Sequence, residues 1–288
     1  MKIMFLLLLP ASLFGQLLCK GLIINKETKK GVAFATIGLI IQNIGTNADE
    51  DGRFSFDNVF QTADTLLISS IGYEALKVAF DRQNSNATFE LQPKVTILKE
   101  VIVVGNSTWK QITLGQYANC GNNHYTVSNT INQVVRHFTA PVERAYLKEV
   151  EICKYGITII DPARAKFRVR IYTMDNLTKA PYSNLCDSII ELDVTGRHIK
   201  VNLENYNIIL PDKDFFVGIE WLRIKMNKNK NKANFGGQKK VVYYTYSPLL
   251  AFKEIKDDNT ARESWQLDYT GKWIPFGWDA MISATVKY

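Results

Sequence analysis

The sequence predicts an all-β protein in which an N-terminal Ig-like or transthyretin-like β-sandwich precedes a larger, antiparallel, jelly-roll-like β-sandwich. Apolar residues recur in short runs that alternate with polar residues, as in Phe54–Phe56 and Lys166–Tyr172, which is the pattern of half-buried strands. Helical spacing is weak and is confined to Ser128–Phe138, where we expect a short helical turn at most. A chain of 288 residues is long enough for two domains of ordinary size.

Residues 1–15 have the pattern of a secretory signal peptide. Lys2 precedes the apolar run Ile3–Phe14, and Gly15 offers a small residue for cleavage. The run is shorter than the roughly 20 residues that a membrane span needs. A lipoprotein would need a small residue before Cys19, where Leu18 stands instead, so lipidation at Cys19 is disfavoured but stays open. We expect export, to the periplasm or the outer surface of the cell envelope, and no membrane span.

Residues 20–92 form one continuous module. It opens with Lys20–Ile23, contains Asp49–Phe56, and closes with Ile68–Glu74. This pattern resembles the carboxypeptidase-regulatory-like domains of secreted Bacteroidota proteins. The resemblance implies an accessory β-sandwich without catalytic residues. Asp49–Gly52 predicts the turn of a hairpin, because Asp side chains bond their own backbone and Gly adopts positive φ. A calcium loop is the alternative, but it would need further oxygen ligands where Arg53 follows.

Residues 93–112 are predicted to link the two sandwiches. They contain the β-branched run Val101–Val104, which is similar to the segment that follows the same module in TonB-dependent receptors. Residues 113–288 are too few for the roughly 20 strands of such a receptor barrel. We therefore expect the shared building block without the transport function, and Val101–Val104 as an edge or linking strand.

Residues 113–288 are predicted to form the second sandwich. Alternation is clear in two segments, Ala145–Ile152 and Lys166–Tyr172. Further strands are predicted at Ser188–Asp193, His198–Leu203, Phe215–Ile224, Val241–Tyr246, Ser264–Asp268 and Met281–Val286. Their number, and the polar loops between them, are typical of a jelly-roll.

The charge pattern does not predict a nucleic-acid-binding protein. The net charge is +7, and much of the excess lies in Lys225–Lys232 with Lys239 and Lys240. Nucleic-acid binding would need aromatic residues between the basic ones, whereas Asn fills the gaps in this segment. The segment is therefore predicted to be a solvated loop, and weak contact with anionic lipid or polysaccharide stays open.

The cysteines exclude the short-spaced zinc and redox motifs. Cys120, Cys153 and Cys186 are each 33 residues apart, so no pair of closely spaced cysteines is present. Export permits a Cys120–Cys153 disulfide. Buried free thiols that pack as small apolar groups are the alternative.

The sequence contains no complete catalytic motif. Glu149 and Glu151 share a strand face, but the same alternation makes them solvated. The other sets of candidate groups are Asp187 with Glu191 and Asp193, and the widely separated His124, His137 and His198. Neither set has the spacing of a zinc peptidase, and no nucleophile elbow or phosphate-binding glycine loop is present. We expect neither enzymatic activity nor a cofactor or metal.

Aromatic residues crowd the C-terminal end of the chain, and four of them are candidate ligand-binding residues: Trp265, Tyr269, Trp273 and Trp278. Exposed Trp and Tyr rings stack on sugars or hold peptides, although the same rings could fill the core. The sequence therefore predicts a non-catalytic envelope protein that binds a glycan or a protein partner. A structural scaffold in an outer-membrane complex and, less favoured, a hydrolase are the alternatives. The sequence does not fix the oligomeric state.

Overall fold

The structure is a computed structural model that describes residues 19–56, 63–80, 87–94, 109–120, 123–124, 130–155, 164–186, 189–193, 196–235, 238–254 and 263–288. The predicted signal peptide, the Val101–Val104 run and Asp187 lie outside the described residues. Within them, no helix is both long enough and apolar enough to cross a membrane.

Residues 19–94, here called the N-terminal module, form two small sheets. The strands are β1 Lys20–Asn25, β2 Thr36–Leu39, β3 Ile44–Asn47, β4 Arg53–Ser55, β5 Asp64–Ser69, β6 Leu76–Phe80 and β7 Thr88–Leu91. One sheet has the order β4-β1-β7 and the other the order β3-β2-β5-β6. The inward residues of both sheets, among them Ile23, Ile37, Leu66 and Phe89, form one core. This arrangement is the predicted small β-sandwich.

The predicted turn at Asp49–Gly52 is present, but its role in a hairpin was wrong. Asp49 Oδ1 accepts hydrogen bonds from the backbone N–H of Asp51 at 3.0 Å and of Arg53 at 2.8 Å, and Gly52 has a φ of +83°. β4 then pairs with β1 rather than with β3. The turn carries the chain from one sheet to the other, so that both strands can bury a face in the same core.

Residues 109–288, here called the C-terminal sandwich, consist of strands joined by loops and two short 3-10 helices. The strands are β8 Gln111–Leu114, β9 Asn123–His124, β10 Ile131–Thr139, β11 Tyr146–Cys153, β12 Arg164–Met174, β13 Pro181–Asn184, β14 Ile189–Asp193, β15 His198–Asn202, β16 Asp214–Trp221, β17 Lys228–Phe235, β18 Gln238–Tyr246, β19 Ala251–Glu254, β20 Ser264–Asp268, β21 Trp273–Pro275, β22 Trp278–Ala280 and β23 Ile282–Lys287. The 3-10 helices are Glu204–Tyr206 and Lys225–Asn227. β8 begins inside the segment that was predicted to be a linker.

Two sheets face each other in this sandwich. The larger sheet has the order β13-β12-β16-β10-β20-β21, with β14 also paired to β12, and the smaller sheet has the order β15-β11-β23-β8. Several successive strands, such as β10, β11 and β12, alternate between the two sheets, as in a jelly-roll-like sandwich. The core between them includes Phe167, Val150, Trp221 and Ile282. The all-β fold predicted from the sequence is therefore confirmed.

Two local predictions were wrong. Ser128–Phe138 contains the start of β10, a strand that pairs with both β16 and β20. Its β-branched residues fit a sheet better than a helix, and Val134 and Val135 are both buried on opposite faces. Lys225–Lys232, predicted as a loop, contains a 3-10 helix and then β17, which forms a hairpin with β18.

Candidate functional site

The predicted aromatic residues do not gather on one exposed face. Trp265 and Trp273 are half-buried and pack against a cluster that contains Tyr172, with 5.3 Å between the ring centroids of Tyr172 and Trp273. Trp278 is 37% exposed, and its ring packs against the buried Phe252 with 6.4 Å between centroids. Trp265 and Trp273 thus cover a cluster that is separate from the main core, whereas Trp278 packs against a residue of the main core.

Tyr269 is only 3% exposed, so its ring is not available on the surface as the prediction required. It lies between the two modules, against the glycine pair Gly38 and Gly45 of β2 and β3. A Cβ atom on Gly45 would lie 1.9 Å from the Tyr269 ring. The absence of a side chain on Gly45 therefore makes room for Tyr269 to anchor the C-terminal sandwich on the N-terminal module.

Arg223 lies beside Tyr269 at this junction. Its Nε donates to the Tyr269 hydroxyl at 2.5 Å, and its guanidinium lies 5.1 Å from the ring centroid of Tyr246 and 5.3 Å from that of Tyr269. Burial raises the pKa of the Tyr269 hydroxyl, against the opposing effect of the Arg223 charge. The backbone N–H of Arg223 donates to Asn47 Oδ1 at 2.8 Å, which adds a second tie to the N-terminal module.

A buried ion network completes the junction. Glu220 is fully buried, and its carboxylate accepts hydrogen bonds from Arg168 at 3.2 Å and from Arg170 Nε at 2.7 Å. It also accepts one from the Thr36 hydroxyl of the N-terminal module at 2.9 Å, and Arg168 donates to the carbonyl oxygen of Phe34 at 2.6 Å. Burial alone would raise the pKa of the Glu220 carboxyl, but the charges of Arg170 and Arg168 hold that pKa below its usual value. The two modules thus share a polar core.

A groove of about 800 Å³ opens beside this junction. From the N-terminal module it is lined by Lys20 of β1, by β3, by β4 and by the turn between β3 and β4. From the C-terminal sandwich it is lined by residues in the range 223–228 and by β18. We call this space the interdomain groove. The charged side chains of its lining and two of its tyrosines are Lys20, Asp49, Arg53, Arg223, Lys225, Lys228, Tyr244 and Tyr246. Its size is typical of a ligand site, since such sites measure about 300–1,000 Å³.

Strand alternation on the β17–β18 hairpin places basic and aromatic side chains together. Lys228 is opposite Tyr246, and Lys230 is opposite Tyr244, so these four residues share a face. Lys228 Nζ lies 4.2 Å from the ring centroid of Tyr244, within the range of a cation–π contact. Tyr244 is 45% exposed. The hairpin therefore presents an accessible ring and a lysine to the interdomain groove.

The asparagines between the lysines support the opposite face of the hairpin. Asn229 Nδ2 donates to the Ser247 hydroxyl at 2.9 Å, and Asn231 Nδ2 donates to the Thr245 hydroxyl at 2.9 Å. The alternation of Lys with Asn is thus the two-residue period of a strand. This two-residue period was the sequence signal that could have predicted the hairpin. The segment was predicted to be a loop instead because its hydrophobicity is low.

The Cys120 and Cys153 side chains form a disulfide, as one of the two predictions proposed. Cys19 and Cys186 are free and buried. His198 Nε2 lies 3.5 Å from Cys120 Sγ, and the ligand atoms of Cys120, Cys153 and His198 are all within 4.8 Å of one another. Because the two sulfurs are bonded to each other, they are not available as thiolate ligands, and His198 Nδ1 is hydrogen-bonded to Glu151. We interpret this cluster as a covalent brace between β11 and the segment before β9.

The described side chains among the remaining candidate groups lie in separate pairs. Glu151 is bonded to His198, and Lys200 Nζ lies 3.8 Å from its carboxylate, while His137 Nε2 lies 2.9 Å from Asp214. The interdomain groove has Asp49 as the one carboxylate among its described lining residues. A glycosidase needs two carboxylates on either side of a bond, so the described part of the groove lacks such a pair.

Residues 19–103 match the family model of the CarboxypepD_reg-like domain. The N-terminal module is therefore a domain of this kind, as the sequence predicted. The match ends before the C-terminal sandwich. No curated protein matches the chain.

Solved structures give weak similarities over most of the chain. The cysteine protease and lectin-like domains of Cwp84 from Clostridium difficile are 14% identical, with 84% of this chain and 48% of that chain covered and a TM-score of 0.35. The clostridial Cwp84 protease after propeptide cleavage is also 14% identical, with 88% and 65% covered and a TM-score of 0.37. A Bacteroides uniformis protein named as a candidate carbohydrate binding protein is 10% identical, with 81% and 96% covered and a TM-score of 0.21. The chain spans about half to two thirds of the length of the two protease structures, and TM-scores this low do not establish a common fold.

Proposed function

We propose that this chain is an exported, non-catalytic protein of the cell envelope that binds a glycan in the interdomain groove. The observation that carries the proposal is the exposed Tyr244 ring beside Lys228 in a groove of about 800 Å³. A flat aromatic ring stacks on the apolar face of a sugar, while polar groups around it bond the hydroxyls. Thr46 and Ser55 line the same groove and supply such polar groups.

The domain composition supports a binding role. The N-terminal module matches an accessory domain family, and half of the groove is built from that module. A binding site between two β-sandwiches needs both modules to be docked, and the Glu220 network and Tyr269 hold them together. The lone carboxylate among the described groove residues favours binding over hydrolysis.

A glycan and peptidoglycan array with the purified protein tests the proposal. We expect binding that Tyr244→Ala abolishes, because that change removes the exposed ring from the groove. Tyr182→Ala is the matched control, since Tyr182 is 71% exposed and does not line the groove. Trp278→Ala tests the C-terminal aromatic residues as the alternative site. Binding that Trp278→Ala abolishes and Tyr244→Ala leaves unchanged would move the site to that surface, and binding to no glycan would reject the proposal.

A further inference from the structure

The interdomain groove has a strong excess of positive charge. Its described cationic lining residues are Lys20, Arg53, Arg223, Lys225 and Lys228, against Asp49 as the acidic one. Asp49 is moreover occupied by the turn, because its Oδ1 accepts the backbone N–H groups of Asp51 and Arg53. A cleft lined by one sign of charge concentrates the field and attracts ions of the opposite sign.

The cations at the groove rim are not neutralised by carboxylates in the described part of the chain. Lys20, Arg53 and Lys225 form no ion pair with any residue that the structure describes. Lysines elsewhere on the surface do form such pairs: Lys29 Nζ lies 2.7 Å from Glu90, and Lys287 is paired with Glu204. The three rim cations therefore keep their hydrogen-bond donors for a ligand.

The buried charges behind the groove wall also carry a positive excess. Arg168 and Arg170 are buried there with Glu220 as their shared carboxylate partner. Hydrogen bonds connect this network to the groove. The Thr36 hydroxyl donates to Glu220 and accepts from Asn47 at 3.2 Å, and Asn47 lines the groove. Buried charges are screened less than exposed ones, so this excess adds to the positive potential that a ligand meets.

We propose that the ligand of the interdomain groove is an anionic saccharide, with carboxylate groups on its sugar rings. This inference rests on the glycan-binding function proposed above and names the class of glycan. The Tyr244 ring provides the stacking surface, and Lys20, Arg53 and Lys225 bind the carboxylates. The groove volume of about 800 Å³ holds several sugar rings. A free phosphate would fill a small part of it and would leave Tyr244 without a role.

Single-stranded nucleic acid is the competing polyanion, and the arrangement of rings disfavours it. Such binding uses several exposed aromatic rings in succession, on which consecutive bases stack. Among the described lining rings, Tyr244 is the exposed one, whereas Tyr246, Phe54 and Phe56 are buried. Tyr243 is half-buried, and strand alternation places its side chain on the opposite face of β18 from Tyr244. A single accessible ring fits one sugar of a chain whose other residues are held by charge.

The test compares acidic oligosaccharides with their carboxyl-reduced counterparts, which keep the rings and hydroxyls but lose the charge. Oligogalacturonate, hyaluronan oligosaccharides and chondroitin oligosaccharides are the probes, with inorganic phosphate and single-stranded DNA measured beside them. We expect an acidic probe to bind at least about tenfold more tightly than its reduced form, since hydrogen bonds to charged groups are stronger than those between neutral groups. Raising the salt from 50 to 300 mM is expected to weaken that binding.

A triple variant with Lys20→Gln, Arg53→Gln and Lys225→Gln tests the rim directly. It is expected to lose at least about tenfold in affinity for the acidic probe. The matched control carries Lys110→Gln, Lys179→Gln and Lys213→Gln, which remove the same charge from exposed positions outside the groove and are expected to leave the affinity within about twofold.

The outcomes separate this inference from the proposed function. Equal affinity for acidic and reduced probes, with both lost in Tyr244→Ala, would overturn the anionic ligand and keep glycan binding. Tighter binding of single-stranded DNA than of any acidic saccharide, or displacement by inorganic phosphate at the same concentration, would also overturn the inference. Binding to none of the saccharides would reject both proposals.

Discussion

Glu220→Gln is expected to destabilise the protein far more than a loss of one charge at the surface would. The change keeps the shape of the side chain but leaves Arg168 and Arg170 without the carboxylate that both contact. Removing one partner of a buried ion pair costs about 3–5 kcal/mol, because the remaining charge stays buried without compensation. For a domain of this size that corresponds to a fall in Tm of about 6–20 °C.

The assay is thermal unfolding followed by circular dichroism at pH 7, with Glu90→Gln as the matched control. Glu90 is paired with Lys29 at 2.7 Å, and the two side chains are 41% and 60% exposed. An exposed pair of this kind contributes less than about 1 kcal/mol. A change of about 1 kcal/mol shifts the Tm by about 2–4 °C in a domain of this size. If the Tm of Glu220→Gln lay within about 2 °C of the Glu90→Gln value, the view that the network holds the modules together would be refuted.

The stabilising effect of Glu220 is also expected to depend on pH. The pKa of Glu220 is held below its usual value of 4.5 in the folded protein, so its ionised form stabilises the fold. That stabilisation is complete above the unfolded-state pKa and is lost as the pH falls through the lower pKa of the folded state. The Tm difference between the wild type and Glu220→Gln is therefore expected to be largest at neutral pH and to shrink below about pH 4.5.

Two further changes test other parts of the structure. Replacing both Cys120 and Cys153 by Ala is expected to lower the free energy of unfolding by about 2–4 kcal/mol, because the disulfide closes a loop over a sequence separation of 33. Unfolding in urea measures this change. An unchanged urea midpoint for the double variant would show that the disulfide does not brace the fold. Gly45→Ala would place a Cβ atom 1.9 Å from the Tyr269 ring, so we expect a loss of about 1–3 kcal/mol and weaker glycan binding. Gly277→Ala meets no atom within 4 Å and serves as its control, and equal stability of the two glycine variants would contradict the anchoring role of Tyr269.

The sequence predicted those strands whose limits are marked by nearby residues in the chain. β20 was predicted at Ser264–Asp268 and has those bounds, because turn residues and alternation mark both of its ends. β10 was missed because most of its residues are buried and the strand packs against a cluster on each of its two faces, which removes the alternation. Burial on two faces depends on strands that are distant in the sequence.

The candidate site depends even more on contacts between residues that are distant in the sequence. Tyr269 was predicted to be an exposed ligand-binding residue, and nothing near it in the sequence indicates that Gly38 and Gly45 would receive it. Lys228 and Tyr244 lie 16 positions apart in segments of different composition, one polar and one aromatic. The pairing of β17 with β18 brings them to one face. Of the aromatic residues that crowd the C-terminal end of the sequence, Tyr243, Tyr244 and Tyr246 line the interdomain groove beside the N-terminal module.

The position of a bound glycan decides whether the interdomain groove is the binding site. Hydrogen exchange followed by mass spectrometry, with and without the saccharide that binds most tightly on the array, reports which backbone segments a ligand protects. The proposed site predicts slower exchange in β3, β4 and the β17–β18 hairpin, on both sides of the interdomain groove. Protection confined to β21 and β22, which carry Trp273 and Trp278, with none in the groove strands, would contradict it.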